Sequence, residues 1–326
     1  MKVCIVGAGA IGGLVGAKLA ATGEAQVSAR ARGATLASLR THGWRVRHGD
    51  SLLQVPARAS DSPKELGPQD LVIIAVKGPA LTEVARAIGP LLGPATIVMP
   101  AMNGVPWWFG TSVAALGDRP LESVDPGGVI GNAIAIERVV GCVVHMAAST
   151  TEPGLVLHKM GEGLIIGEAR GGKSDRVQAV ADLLGRAGFE LAHSADVRRD
   201  IWYKLWGNLT MNPVSAMTGA TGDRILGDPL VMKLCHDAMR EAAAIGEKLG
   251  CPIDQAPEDR SKITARLGIF KTSMLQDVEA GRAIELDAIV GVVHELGKRL
   301  GVATPNVDAI FGLARLYGRV HRLYPE

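Results

Sequence analysis

The chain has 326 residues, enough for roughly two domains of ordinary size, each with its own core. Hydrophobic residues at 47% and charged residues at 21% exclude disorder, and a net charge of +2 gives no general reason to expect nucleic acid or an anionic membrane as partner. The cysteines Cys4, Cys142, Cys235 and Cys251 carry neither Cys-x-x-Cys nor Cys/His metal spacing, so they read as reduced thiols of a cytoplasmic protein with no metal site.

The chain opens on a short apolar strand, Lys2-Val-Cys-Ile-Val6, that runs into Gly7-Ala8-Gly9-Ala10-Ile11-Gly12 and an Ala/Leu-rich helix to about Ala21. The small-apolar run loosely imitates a signal peptide, but its regular glycines and Lys18 fit a βα turn better. Further strands are expected at Gln26 to Ala29, Leu71 to Val76 and Thr96 to Met99, with helical segments such as Pro79 to Ile88 between them. The first hundred residues therefore read as βαβ units of a parallel sheet. Trp44 to Val55, broken at His48-Gly-Asp50, reads as an inserted hairpin. From Gly127 to Ala169 the pattern turns β-rich, with turns at Glu152-Pro-Gly154 and Gly161-Glu-Gly163, and predicts antiparallel strands extending the sheet. A helix over Ser174 to Ala187 and a strand over Glu190 to His193 complete this domain. Beyond Asp196 the runs Leu230 to Leu249, Asp259 to Gly281 and Glu285 to Leu300 have helical periodicity. The expected fold is α/β: a Rossmann-type doubly wound sheet with an added antiparallel portion over residues 1–194, then an all-helical domain over 195–326.

In its strand-to-helix context the glycine loop reads as a dinucleotide site, although a glycine-rich βα turn that binds nothing fits the same pattern. Gly7 permits the tight turn, Gly9 lets backbone approach a pyrophosphate, Gly12 allows close helix packing, and the helix N-terminus offers amide donors. At the end of the second strand, where an acidic residue would hold the ribose of NAD, stand Ser28-Ala-Arg30-Ala-Arg32. These guanidiniums either pair with a 2′-phosphate, which favours NADP, or are solvated surface charges. Lys77 follows the apolar strand at the carboxyl end of the sheet, where ligands bind in this architecture, although a surface lysine fits the same pattern. Asn103-Gly104, after the next strand, reads by itself as a turn asparagine.

In the second half, Lys204, Asn208 and Asn212 recur every four residues among Ile201, Trp202, Leu205, Trp206, Leu209 and Met211. On a helix this spacing gathers one ammonium and two amides into one stripe of a largely buried surface, where polar groups are costly without a partner. A small polar ligand is the obvious one. Pro213 removes a backbone donor and disfavours helical geometry at Asn212, so the stripe is expected to bend or end there. Glu285 reads as a helix N-terminal acid or a counter-charge, and Ser273 as a helix cap or surface serine. His145, His158 and His236 form no obvious ligand set.

With Val76-Lys77, Asn103-Gly104, Glu152-Pro-Gly154, Lys204-Leu-Trp-Gly-Asn208, Asn212-Pro213, Ser273-Met-Leu-Gln-Asp277 and Glu285-Leu-Asp287 added to the glycine loop, the chain resembles the ketopantoate reductases (2-dehydropantoate 2-reductases) over nearly its whole length. The resemblance implies an NADPH-dependent reduction of a 2-oxo acid in a cleft between a Rossmann domain and a helical domain, in cytoplasmic pantothenate biosynthesis. It assigns Lys204 to the substrate ketone as proton donor and Glu285 to a place near that lysine and a substrate hydroxyl. Asn208, Asn212 and Ser273 would contact substrate hydroxyl and carboxylate, Asn103 the ketone and nicotinamide, and Lys77 the cofactor. Residues Gly7 to Gly12 and Arg30 complete the cofactor set.

The chain departs from that pattern in the stretch Val105-Pro-Trp107-Trp108-Phe109-Gly110 and its continuation to Gly128, longer and more aromatic than is typical. In a chain with 4% aromatic residues, three in succession beside a site loop are informative. They form either a lid or pocket wall for a substrate larger than ketopantoate, or packing of the longer loop against its own domain or a second subunit, as in a homodimer. Two alternatives follow: a paralogous NADP-dependent hydroxy-acid dehydrogenase with a bulkier substrate, and a non-catalytic NADP-sensing protein.

Overall fold

The first apolar run folds as expected into strand β1 (Lys2–Val6), in a computed structural model that describes residues 1–111 and 113–326. In chain order the other strands are β2 (Gln26–Arg30), β3 (Trp44–His48), β4 (Ser51–Val55), β5 (Arg58–Ser60), β6 (Gln69–Ile74), β7 (Leu92–Pro100), β8 (Val140–Glu152), β9 (Leu155–Glu168) and β10 (Glu190–His193). A parallel sheet in the order β5-β2-β1-β6-β7 places β1 at the switch point, flanked by β2 and β6. Its central strands are buried on both faces, which accounts for the unbroken apolar runs at Val3–Val6 and Leu71–Ile74.

The β-rich stretch does not extend that sheet. The long β8–β9 hairpin builds a second sheet in the order β10-β9-β3-β4, with β8 paired to β9, and the predicted hairpin Trp44–Val55 joins it. Parallel pairing of β9 with β3 and β10 makes this sheet mixed. The helix Ala10–Thr22 packs against strands of both sheets and shares one core with them. Its glycines permit this. A Cβ on Gly13 would lie 2.6 Å from Val156 Cγ2, and one on Gly16 2.4 Å from the Trp44 ring. A helix apolar on every side is stable here because it is enclosed.

By packing, the chain divides into one unit of Met1–Met102 with Gly128–Asp200 and another of Asn103–Gly127 with Ile201–Glu326. The aromatic stretch, which lies within 1–194 in the sequence reading, thus belongs with the helices. Phe109 stacks on Trp202 at 5.9 Å between ring centroids. In the helical unit the main elements are Val197–Thr218, Pro229–Lys248, Pro257–Ala265, Ser273–Glu279, Val292–Leu300 and Pro305–Val320. The run read as continuous from Asp259 to Gly281 is broken into two helices, the second capped by Thr272, whose Oγ1 accepts from the Leu275 amide at 3.1 Å. The helix expected from Glu285 begins after it, with a π-helical segment over Asp287–Gly291. No helix among the described residues is long and apolar enough to cross a membrane.

Candidate active site

The first group of predicted residues gathers at the carboxyl edge of the parallel sheet. Gly7 leaves β1 at φ +93°, a left-handed conformation that disfavours any side chain, and its amide donates to the Arg30 carbonyl at 3.1 Å. A Cβ on Gly12 would lie 2.0 Å from the Gly7 carbonyl oxygen, so the turn closes only on a bare α-carbon. Gly9 is different: a Cβ there would meet open space. It caps the helix Ala10–Thr22 without any side-chain hydrogen bond, which leaves the first helical amides uncapped by side chains. Ala8 is buried beneath the loop, and Ala10 and Ile11 form the first helical turn.

Arg30 ends β2 beside this loop, and its Nε is buried without a hydrogen-bond partner. Such a donor is costly unless a ligand satisfies it, and a phosphate oxygen is a suitable acceptor. Arg32 is instead paired with Glu83, whose carboxyl lies below the ordinary glutamate range because it accepts from that guanidinium. Lys77 occupies the N-cap position of the helix Gly78–Ala87, directly after β6. The uncapped helix start, the open side of Gly9 and the unpartnered Arg30 Nε fit the phosphates of a dinucleotide.

The second group lies in the helical unit. Helix Val197–Thr218 runs through Pro213, so the stripe does not end there. Burial of Leu209, Pro213 and Val214 opposes the cost of about 3 kcal/mol for an internal proline. Lys204 and Asn208 are half-buried and Asn212 is only 4% exposed, so the stripe descends from the surface into the unit. Its far side is apolar: Ile201, Trp202, Leu205, Trp206 and Leu209 are buried, and Trp206 Nε1 donates to the Met239 carbonyl at 2.7 Å.

Lys204 Nζ donates to Asn103 Oδ1 at 2.9 Å, joining residues 101 positions apart. Asn103 is therefore more than a turn asparagine. Gly104 behind it has φ +83°, and a Cβ there would lie 2.3 Å from the Ala288 carbonyl oxygen. The Val105 amide donates to that same carbonyl at 2.8 Å. Ala288 belongs to the π-helical segment that follows Glu285, so the loop bearing Asn103 docks on backbone next to the predicted acid. Such segments, which leave irregular carbonyls in a helix, recur at functional sites.

Asn212 completes the polar set. Its Nδ2 is buried and has no hydrogen-bond partner. Ser273 is exposed in the first turn of its helix, with Thr272 as the cap. The residues that sequence reasoning missed are those that hold the loop. Glu295 accepts from the amides of Glu122 and Ser123 at 3.0 and 2.8 Å, and Arg299 donates to the carbonyls of Leu116 and Pro120, each at 2.8 Å. Their only sequence signal was an acid-base pair four apart on one helix. Trp107, Trp108 and Phe109 are buried, and the Phe109 ring packs on Trp202 of the same unit.

Comparison with known proteins identifies the family. Residues 3–171 match the family model described as ketopantoate reductase PanE/ApbA, and residues 196–318 match the model for its C-terminal part. A 2-dehydropantoate 2-reductase of Mesorhizobium japonicum is 43% identical over 316 residues, covering 97% of each chain. A crystal structure assigned as a ketopantoate reductase of Ralstonia solanacearum superposes with a TM-score of 0.94 at 51% identity, covering 99% of each chain. That of the 2-dehydropantoate 2-reductase of Geobacter metallireducens gives 0.84 at 26% identity, covering 97% of this chain and 99% of the other. The switch-point glycine loop, the polar stripe and these full-length matches together make the chain a member of the ketopantoate reductase family, an oxidoreductase acting on CH–OH groups.

Proposed function

We propose that the protein reduces 2-dehydropantoate (ketopantoate) to pantoate with NADPH. When bound, the cofactor supplies the hydride; the groups of this chain supply binding, orientation and the proton. Residues Gly7 to Gly12 hold the pyrophosphate, Arg30 takes the 2′-phosphate and Lys77 neighbours the cofactor. Lys204 donates to the ketone oxygen. As that oxygen becomes an alkoxide, the bond strengthens and the ammonium gives up its proton, so the interaction counts most in the transition state. Asn103, already the acceptor for Lys204 Nζ at 2.9 Å, aims the ammonium. Glu285 is the counter-charge that keeps it protonated and contacts a substrate hydroxyl. Asn208 and Asn212 orient substrate through hydroxyl and carboxylate, and Ser273 joins them when substrate is present.

The observation that carries this reading is the pairing of a held ammonium with a buried amide that has no partner. Lys204 is fixed by Asn103, while Asn212 Nδ2 is an unsatisfied donor on the same helix face. A buried donor without a partner is costly, which supports a substrate group as the partner of this one. The test is turnover on a panel of 2-oxo acids, with NADPH and with NADH. The proposal requires ketopantoate with NADPH to give the highest kcat/KM. Negligible turnover of ketopantoate beside rapid turnover of a bulkier acid overturns the substrate; equal or better use of NADH overturns the cofactor.

A further inference from the structure

After the last helix, Pro305–Val320, the chain turns sharply back on itself at Arg322, which at φ +57° is the one described non-glycine residue in the left-handed region. A strained residue of this kind persists only where its surroundings hold it. Here they do so through two bonds on either side of Glu285. The Leu323 carbonyl accepts from the Ile284 amide at 2.9 Å, and the Tyr324 hydroxyl donates to Asp287 Oδ1 at 2.5 Å. The segment is itself anchored: the Leu323 amide donates to the Gly318 carbonyl at 2.7 Å, Arg319 Nε to the Pro325 carbonyl at 3.0 Å, and Leu323 is buried. The absence of a side chain at Gly318 makes the fit, since a Cβ there would lie 2.7 Å from Tyr324 Cβ and 3.2 Å from Ile284 Cδ1.

We infer that Leu323 and Tyr324 form a brace that fixes the backbone carrying Glu285, and that Tyr324 is a positioning residue for the reductase reaction. Ile284 and Leu286, on either side of Glu285, are 2% and 0% exposed, so the backbone is pinned by packing on both sides and by hydrogen bonds at 284 and 287. The far end of the same turn carries Ala288, whose carbonyl receives Val105 and so docks the Asn103 loop. One tyrosine hydroxyl therefore steadies a segment that serves both Glu285 and, through Asn103, Lys204. Burial pushes the Asp287 carboxyl up from its ordinary range while the Tyr324 hydroxyl and the Arg315 charge draw it back, as expected for an acid kept in place to accept one bond.

The inference rests on the role proposed for Glu285, and a double-mutant cycle separates the two. Tyr324→Phe removes only the hydroxyl. It should lower kcat by roughly 5- to 50-fold, the scale of a misplacement of up to about 1 Å, with NADPH affinity and melting temperature nearly unchanged. In a Glu285→Gln background the same change should cost less than about 2-fold, because a residue acting through Glu285 has nothing left to position. If Tyr324→Phe does not fold, Asp287→Ala removes the bond from its other end and should give the same pattern. Wild-type kcat in the single variant, or an undiminished loss in the double variant, overturns the brace while leaving Glu285 in its role. Wild-type kcat in Glu285→Gln overturns the role itself and the brace with it.

Discussion

Replacing Gly104 by alanine tests whether the Asn103 loop owes its place to a bare α-carbon. The added Cβ would lie 2.3 Å from the Ala288 carbonyl oxygen and 2.7 Å from its carbon, so loop and π-helical segment must separate by about 1 Å to reach ordinary contact. Separation weakens the bond from the Val105 amide to Ala288, now 2.8 Å, at a net cost of about 0.5–1.5 kcal/mol. An alanine at φ +83° adds about 1–2 kcal/mol of backbone strain. The expected destabilisation is therefore about 1.5–3.5 kcal/mol. Catalysis should suffer more, because the same shift carries Asn103 away from Lys204; a fall in kcat approaching about 100-fold is expected. Gly268→Ala is the control, since Gly268 has φ +65° with open space where its Cβ would be. Thermal melting and steady-state turnover on the two variants suffice. If Gly104→Ala matches Gly268→Ala in both, the loop is not held in the way described.

Three further outcomes are expected. Asn212→Leu removes a buried donor that has no partner, so melting temperature should hold or rise while KM for the 2-oxo acid increases roughly 10- to 100-fold, the worth of a bond to a charged ligand; a stability loss with unchanged KM would make Asn212 structural. Phe109→Ala should cost about 3–5 kcal/mol in denaturant unfolding without changing the order of preference among 2-oxo acids, because the ring is fully buried against Trp202; a switch toward bulkier acids would restore the pocket-wall role. Glu168 lies below its ordinary pKa because it accepts from Arg176 Nε at 2.7 Å and from Ser174. A carboxyl depressed in the folded state contributes stability above its unfolded pKa and loses it as pH falls through the folded value. The stability gap between wild type and Glu168→Gln should thus be present at pH 7 and close as pH is lowered through and below about 4.3; a pH-independent gap would rule out the ion pair as its source.

What could be read along the chain was what local geometry dictates. Gly7, Gly9 and Gly12 are set by one tight turn, and the stripe of Lys204, Asn208 and Asn212 by helical periodicity, so neighbouring residues sufficed to place them. Pro213 does not end the helix, because burial of the helix on its apolar side opposes the proline's local preference. The second sheet was hidden because β9 recruits β3 and β10 from distant parts of the chain, and period-2 patterning does not name a strand's partners. Asn103 looked like a turn residue because its partner is 101 positions away. The π-helical segment after Glu285 and the return of Tyr324 to Asp287 likewise depend on tertiary contacts that leave no periodic trace.

The central claim is that Lys204 delivers the proton to the ketone oxygen, and Lys204→Ala assayed for turnover and cofactor affinity together tests it most directly. The expected result is a fall in kcat of about 100- to 10,000-fold for ketopantoate reduction, with the dissociation constant for NADPH unchanged within about 3-fold. Turnover at the wild-type rate in a variant that still binds NADPH would contradict it.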